Sequence, residues 1–195
     1  TVTVVSEYPV EITTYRTESE YSDHRHPDKV RFVSRIEEDL SRRDFTINAM
    51  AYHPQAGLVD PFGGQEDLKK GIIRCVGNPM DRFGEDALRM VRAYRFTARF
   101  HFVMEKTTEQ AIEVCHSCIK YVAVERIRKE LVQILEQNPY EIEHMTRLLS
   151  PWIPELEQCR ICPQNTPYHD TDVLHHILRA VAQLKPFDET LAYAL

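Results

Sequence analysis

The sequence predicts an α+β fold in which a small mixed sheet with helices gives way to an all-α part. Three observations carry this. Apolar and polar residues alternate with period two in "TVTVV" and "VEITTYR". Glycine and proline punctuate "GLVDPFGGQEDLKKGIIRCVG" around two short strand-like pieces, "GLVD" and "IIRCV". From "DRFGEDALRMVRAYRFTARF" onward, apolar residues recur at helical spacing. The change falls near Gly77–Met80.

The first two strands flank "SEYP", a turn sequence, and so predict a hairpin. "TESEYSDHRHPDKVRF" is polar and without periodicity, which predicts a mobile charged loop. "IEEDLSRRDFTINAMAYH" reads as a short turn, a helix and a strand. In the helical part, Leu88, Val91, Tyr94 and Ala98 form one apolar stripe, and Ile127, Leu131, Ile134 and Leu135 form another. "TTEQAIEVCHSCIKYV", "PYEIEHMTRLLS" and "DTDVLHHILRAVAQL" add further helices. No internal repeat or low-complexity tract appears.

With 195 residues and 43% hydrophobic content, the chain can bury one sizeable core or two small ones. Mixed charge and dispersed aromatics exclude a disordered chain. No apolar run approaches the roughly 18 residues of a membrane span. The opening residues lack the basic start of a signal peptide. Thr1 in mid-strand and the uncapped "LAYAL" read as the cut ends of something longer. A net charge of −6 argues against non-specific nucleic-acid binding through bulk charge. A local basic site survives it: Arg74, Arg82, Arg89, Arg92, Arg95 and Arg99 face only Asp81, Glu85 and Asp86 in that stretch.

Five cysteines, an odd count, suit a reducing compartment, so the cytoplasm is expected. Cys115-x-x-Cys118 and Cys159-x-x-Cys162 have the form of two halves of a zinc site. The gap between them exceeds the usual one, and the first pair falls on a helical pattern. Packed cysteines are the expectation.

Two clusters carry chemistry. If one helix covers "GEDALRMVR", then Asp86 and Arg89 are three apart, while Glu85, Arg89 and Arg92 share a face. Such charges commonly form a solvated surface with intrahelical ion pairs. A carboxylate fixed beside a guanidinium also matches the pairing edge of cytosine or adenine, an amino donor next to a ring-nitrogen acceptor, and clashes with uracil and guanine. In "SRRDFTIN", Arg42 and Arg43 suit bidentate phosphate binding, while Asp44 and Asn48 suit ribose hydroxyls. Asp44 also reads as a helix N-cap.

Taken together, "RRDFTINAM", "DPFGGQEDL", "IRCVGNPMDRFGEDALRMVRAYRF" and "VERIRKEL" resemble the class II tRNA nucleotidyltransferases, the CCA-adding enzymes, with bacterial poly(A) polymerase as a close relative. The motifs stand in the family's order and spacing from residue 1 to at least residue 138. The resemblance implies a nucleotidyltransferase head (1–80), a helical neck bearing the nucleotide-reading helix (81–143) and a helical body (144–195). It implies that Arg42, Arg43, Asp44 and Asn48 hold the triphosphate and ribose of CTP and ATP. Glu85, Asp86 and Arg89 then form the protein template for the incoming base, with Arg92 beside them. Glu125, Arg126 and Glu130 brace that template from the neck, and Asp23 and Arg25 belong to a loop associated with the switch from C to A addition. Glu11 matches the third catalytic carboxylate.

The departure from the family pattern concerns metal. The family's Asp-x-Asp pair, which would hold most of the two Mg²⁺ ions, belongs upstream of "TVTVV", so no metal site is complete and this chain alone is expected to be inactive. The tail suggests the start of an HD-type helical module, with His169, His175 and His176 expected as surface or packing residues. The implied activity is template-independent transfer of CMP and AMP to the 3′ end of a tRNA, in the cytoplasm and without a membrane. Poly(A) polymerase, a CC-adding relative and a non-catalytic RNA-binding or HD phosphohydrolase module are the alternatives.

Overall fold

The computed structural model describes residues 1–5, 7–19, 28–164 and 171–194. β1 (Val2–Val4) and β2 (Val10–Ile12) form the expected antiparallel hairpin, with Thr3 opposite Glu11. The polar stretch expected to be a loop differs at both ends. There β3 (Arg16–Ser19) pairs antiparallel with β4 (Lys29–Phe32), placing Thr17 opposite Arg31. Neither strand has a buried face, so no alternation of apolar residues marked them. Asp23 and Arg25 lie outside the described residues.

α1 (Ile36–Ser41) leads to a 3-10 turn at Thr46–Asn48 and then to a hairpin of β5 (Ala51–His53) and β6 (Gly57–Val59). α2 (Gly64–Lys70), which sequence periodicity did not reveal, starts where the Asp60 carboxylate accepts from the amides of Gly64 (2.7 Å) and Gln65 (2.9 Å). A side chain at Gly64 would place its Cβ 2.3 Å from the carbonyl oxygen of Thr46. Glycine is therefore required for α2 to lie on the 3-10 turn that follows Asp44.

β7 (Ile72–Ile73) pairs in parallel with β8 (Val103–Met104), so sheet structure continues beyond the point where only helices were expected. Between them lie α3 (Pro79–Glu85) and α4 (Leu88–Phe100). The Asn78 side chain accepts from the Met80 amide at 3.1 Å and Pro79 occupies the first turn, a conventional helix start. The single helix expected across Glu85, Asp86 and Arg89 is in fact two. Asp86 is extended, at φ −142° and ψ 104°, and its carboxylate accepts from the Leu88 amide at 3.1 Å as α4 begins. A short polar side chain able to bond its own downstream backbone favours such a break, and apolar periodicity does not register it.

The remaining elements are helical. α5 (Lys106–Cys115) runs into a 3-10 helix at His116–Tyr121, and α6 (Val124–Gln137) into another at Pro139–Met145. α7 (Thr146–Leu149), α8 (Glu155–Ile161), α9 (Val173–Ala182) and α10 (Glu189–Ala194) follow. Leu88, Val91, Tyr94 and Ala98 are all buried, as are Ile127, Leu131 and Ile134, while Leu135 packs partly buried against them. Burying one such side chain fully contributes about 1.5–3 kcal/mol. One apolar cluster runs from Phe45 to Leu178, so the helices pack on the first part without a break near residue 80.

Four of the five cysteines belong to this packing, and Cys162 departs from the expectation. Burial pushes the Cys75 thiol up to about 12, and Cys115 donates to the Met80 sulfur at 3.7 Å. Cys118 and Cys159 pack against the core and Cys162 is exposed. Among the described residues no group of three His, Cys, Asp or Glu side chains is arranged to hold a metal ion.

Candidate nucleotide-binding cleft

The cleft is built from the turn after α1, the break between α3 and α4, and one face of α6. It encloses about 520 Å³. Arg42, Arg43, Asp44 and Asn48 line it from the turn. Asp86, Arg89 and Arg92 line it from the break and α4, and Arg126 from α6. Leu88 and Phe96 supply its apolar surface. Two stretches that are 42 residues apart in sequence, from Asp44 to Asp86, thus meet across one cavity.

The lining arginines are not equally available. Arg42 donates to Asp39 (2.8 Å), to Glu18 (3.1 Å) and to the Arg16 carbonyl (3.1 Å), and its side chain is 17% exposed. Burial alone would raise the Asp39 carboxyl, but hydrogen bonds from Arg42 and the Arg16 amide, with the charges of Arg42 and Arg43, hold it below its ordinary value. Arg43, 43% exposed and 3.6 Å from Asp39, is the most open of these cations. Arg42 is engaged in joining α1 to β3, while Arg43 makes only the longer approach to Asp39. The sequence reading missed Asp39 and Glu18, although Asp39 stands three and four residues before the two arginines, a spacing that signals a helical ion pair.

Asp44 is no N-cap. It lies after α1 and accepts from the amide of Phe45, its immediate neighbour, at 2.9 Å. The 3-10 turn beside it has Phe45 at the cap position, without a side-chain cap bond. The adjacent arginines belong to the end of one helix and not to the start of the next. Asn48 donates to the same Asp44 oxygen at 3.2 Å, and Arg92 donates two bonds to the other, at 2.8 and 2.6 Å.

The break between α3 and α4 presents Asp86 and Arg89 side by side. Arg126 donates to Asp86 at 2.9 Å from α6. Arg89 donates to Glu85 (2.6 Å) and to the Arg42 carbonyl (3.0 Å), with its side chain 12% exposed. Glu85 lies behind Arg89 and does not line the cleft. Glu130 is buried on α6, pairs with Arg95 at 2.8 Å and stands 3.9 Å from Arg92. That close Arg95–Glu130 pair lacks hydrogen-bond alignment, since both facing atoms are left without a bonding partner; it acts through charge. Burial lowers the Arg95 pKa against the pull of Glu130. Glu125 is exposed on α6, and Glu11 is exposed on β2 and does not line the cleft.

Phe96 was also missed. It forms the floor, edge-on to Phe45 with centroids 5.6 Å apart, and the Arg95 guanidinium sits 4.4 Å over its ring. Its place on α4, four residues after Arg92 and seven after Arg89, was readable from spacing. The two-carboxylate environment of His175 is separate from the cleft: Asp172 stands 2.7 Å and Glu143 3.2 Å from its ring nitrogens. His169 lies outside the described residues.

The pattern of the Poly A polymerase head domain matches residues 1–74, and that of the probable RNA and SrmB-binding site of polymerase A matches residues 101–159. A CCA-adding enzyme of Lactobacillus helveticus is 57% identical over 124 residues, 64% of this chain and 31% of that protein. That of Bacillus velezensis is 49% identical over 146 residues, 75% of this chain and 37% of that protein. The chain therefore spans about a third of the length of the curated relatives it matches. Among solved structures, the Bacillus stearothermophilus CCA-adding enzyme in complex with CTP superposes with a TM-score of 0.66 at 38% identity, covering 74% of this chain and 35% of that one. The Thermotoga maritima CCA-adding enzyme complexed with tRNA gives 0.54 at 36% identity, covering 68% and 32%.

Proposed function

The chain belongs to the CCA-adding enzyme and poly(A) polymerase family, and from that premise we propose that its cleft reads CTP and ATP for template-independent transfer of CMP and AMP to the 3′ end of a tRNA. One observation carries the base reading. Asp86 and Arg89 line the same cavity, each held by protein partners, so an acceptor and a donor stand fixed at a base edge. Cytosine and adenine offer the complementary pair, and uracil and guanine offer the reverse.

Phosphate binding falls to Arg43, the most open cation of the lining. Asn48 and Asp44 serve the ribose. Asp44 already accepts four hydrogen bonds, about the capacity of a carboxylate. A ribose hydroxyl then takes the place of an Arg92 donor and frees that guanidinium toward the phosphates. Arg126 and Glu130 hold the reading elements from α6, while Asp23 and Arg25 keep their role in the C-to-A switch as part of the proposal. The head, neck and body assignment of residues 1–80, 81–143 and 144–195, as successive parts of one packed unit, and the cytoplasmic setting are further parts of it. No helix among the described residues is long and apolar enough to cross a membrane.

In this reading the RNA 3′-hydroxyl attacks the α-phosphorus in line and pyrophosphate leaves, with arginines compensating the phosphate charge. A pair of Mg²⁺ ions at such a centre needs clustered carboxylates. Glu11, exposed on β2, is the catalytic carboxylate of the proposal, and the described residues do not cluster with it into a two-metal site. The part proposed for them is nucleotide reading.

Thermal-shift titration with the four nucleoside triphosphates tests the reading, because a ligand bound only by the folded state raises its apparent stability. CTP and ATP should raise the melting temperature and UTP and GTP should not. Equal shifts with all four would defeat base selection. A shift with ATP alone would favour a poly(A) polymerase.

A further inference from the structure

Arg82 lies outside the cleft lining, yet it joins the parts that form it. It stands in the last turn of α3 with its side chain 18% exposed. One arm of its guanidinium donates to the Ser41 carbonyl at the end of α1, at 2.9 Å. The other donates to Glu85 Oε1 at 2.5 Å. The second oxygen of Glu85 accepts from Arg89 Nη1 at 2.6 Å. Arg89 in turn donates to the Arg82 carbonyl at 3.2 Å and to the Arg42 carbonyl at 3.0 Å. Two guanidiniums thus flank one carboxylate, and both reach adjacent carbonyls at the end of α1.

The cost of this arrangement shows at the Arg82 Nε, which is buried without a hydrogen-bond partner. Turning the side chain out to water would relieve it. Keeping the fork inward secures something else. A Glu85 held only by Arg89 is free to rotate with it, whereas a carboxylate clamped from both sides is a fixed post. Base discrimination needs such a post, since a well-placed base-edge contact is worth roughly 5- to 150-fold in preference and depends on its geometry.

We propose that Arg82 is a positioning residue for base selection: through Glu85 it sets the orientation of Arg89 and ties it to the turn that carries Arg43 and Asp44. This rests on the reading in which Arg89 faces the base. It extends that reading by placing a specificity determinant outside the cavity.

The test compares Arg82→Gln, Arg82→Lys, Arg89→Ala and the Arg82→Gln/Arg89→Ala double variant in the full chain. The preference for CTP over UTP is read from equilibrium dissociation constants, with melting temperature recorded for each. Arg82→Gln should lower the preference by about tenfold, within the range that one base-edge contact supplies. Arg82→Lys should fall between it and the parent, because one ammonium cannot span both the Ser41 carbonyl and Glu85. In the Arg89→Ala background, Arg82→Gln should change the preference no further. A merely structural Arg82 would lower the melting temperature and weaken CTP and UTP equally; that result overturns the inference alone. An Arg89→Ala variant with unchanged preference would overturn the base reading and this inference together. Should Arg82→Gln fail to fold, Arg82→Lys decides between the same outcomes, a lowered preference supporting the positioning role and an equal loss for both nucleotides overturning it.

Discussion

Asp86 occupies a single extended residue between two helices, and its position explains why one side chain can be both held and available. Its backbone ends α3, its carboxylate starts α4, and Arg126 steadies it from α6. Replacing Asp86 by Ala should weaken discrimination of CTP against UTP by about 1–3 kcal/mol, the scale of one lost base-edge contact. The ratio of the two dissociation constants measures it, and an unchanged ratio would remove Asp86 from the base. Arg43→Ala should instead weaken CTP and ATP alike, because phosphate contacts carry no base identity. Calorimetric titration with each nucleotide checks this, and a loss confined to one would move Arg43 to the base edge. At this scale the sequence disclosed the residue types and their grouping into two clusters, while their meeting in one cavity came from the fold. Nor could the sequence disclose their partners: Arg42 and Arg43 are adjacent and chemically identical, yet only the fold brings Glu18 against the first of them.

Helices with a buried stripe were legible because apolar spacing is a property of the chain itself. α4 and α6 follow their stripes, and Ile134, fully buried on α6, is a direct test. Ile134→Ala should cost about 2–5 kcal/mol in chemical denaturation. α2, β3 and β4 were not legible, since one is set by the Asp60 bonds and the others by a pairing without a buried face. α9 carries a pH-dependent anchor. The hydrogen bond with Asp172, aided by the charge of Glu143, raises the His175 pKa above its ordinary 6.5. Asp172 is held below 3.8, first by the His175 amide and also by the imidazole. The histidine contribution is fully present below the unfolded pKa and is lost as pH rises through the folded one. The aspartate contribution is present above its unfolded pKa and is lost as pH falls through its folded one. Both operate between the two ordinary values. His175→Gln should therefore lower the melting temperature more near pH ~5.5 than near pH ~8.5. Equal losses at both would show the imidazole to be uncharged in the fold.

Over the whole molecule, nucleotide reading and phosphoryl chemistry make different demands. The described residues line one polar cavity, and among them no group of three His, Cys, Asp or Glu side chains is arranged to hold a metal ion. The 195-residue chain should accordingly bind CTP and ATP yet transfer neither to tRNA with Mg²⁺ present, as judged by radiolabel incorporation. Elongation by this polypeptide unaided would place the metal carboxylates within it. The segment around β7 has one more consequence. Arg74 and Val76 exchange backbone bonds with Thr46 and Asp44 on one side, while Gly71 and Ile73 accept from Val103 and Glu105 on the other. The Thr108 hydroxyl closes the same seam by accepting from the Cys75 amide at 3.2 Å. For recombination between homologues, residue 80 is therefore a poor crossover point despite its look of a boundary. A hybrid joined there takes the middle strand of the seam from one parent and a flanking strand from the other, and its two ancestries must agree on a shape that neither half encodes alone.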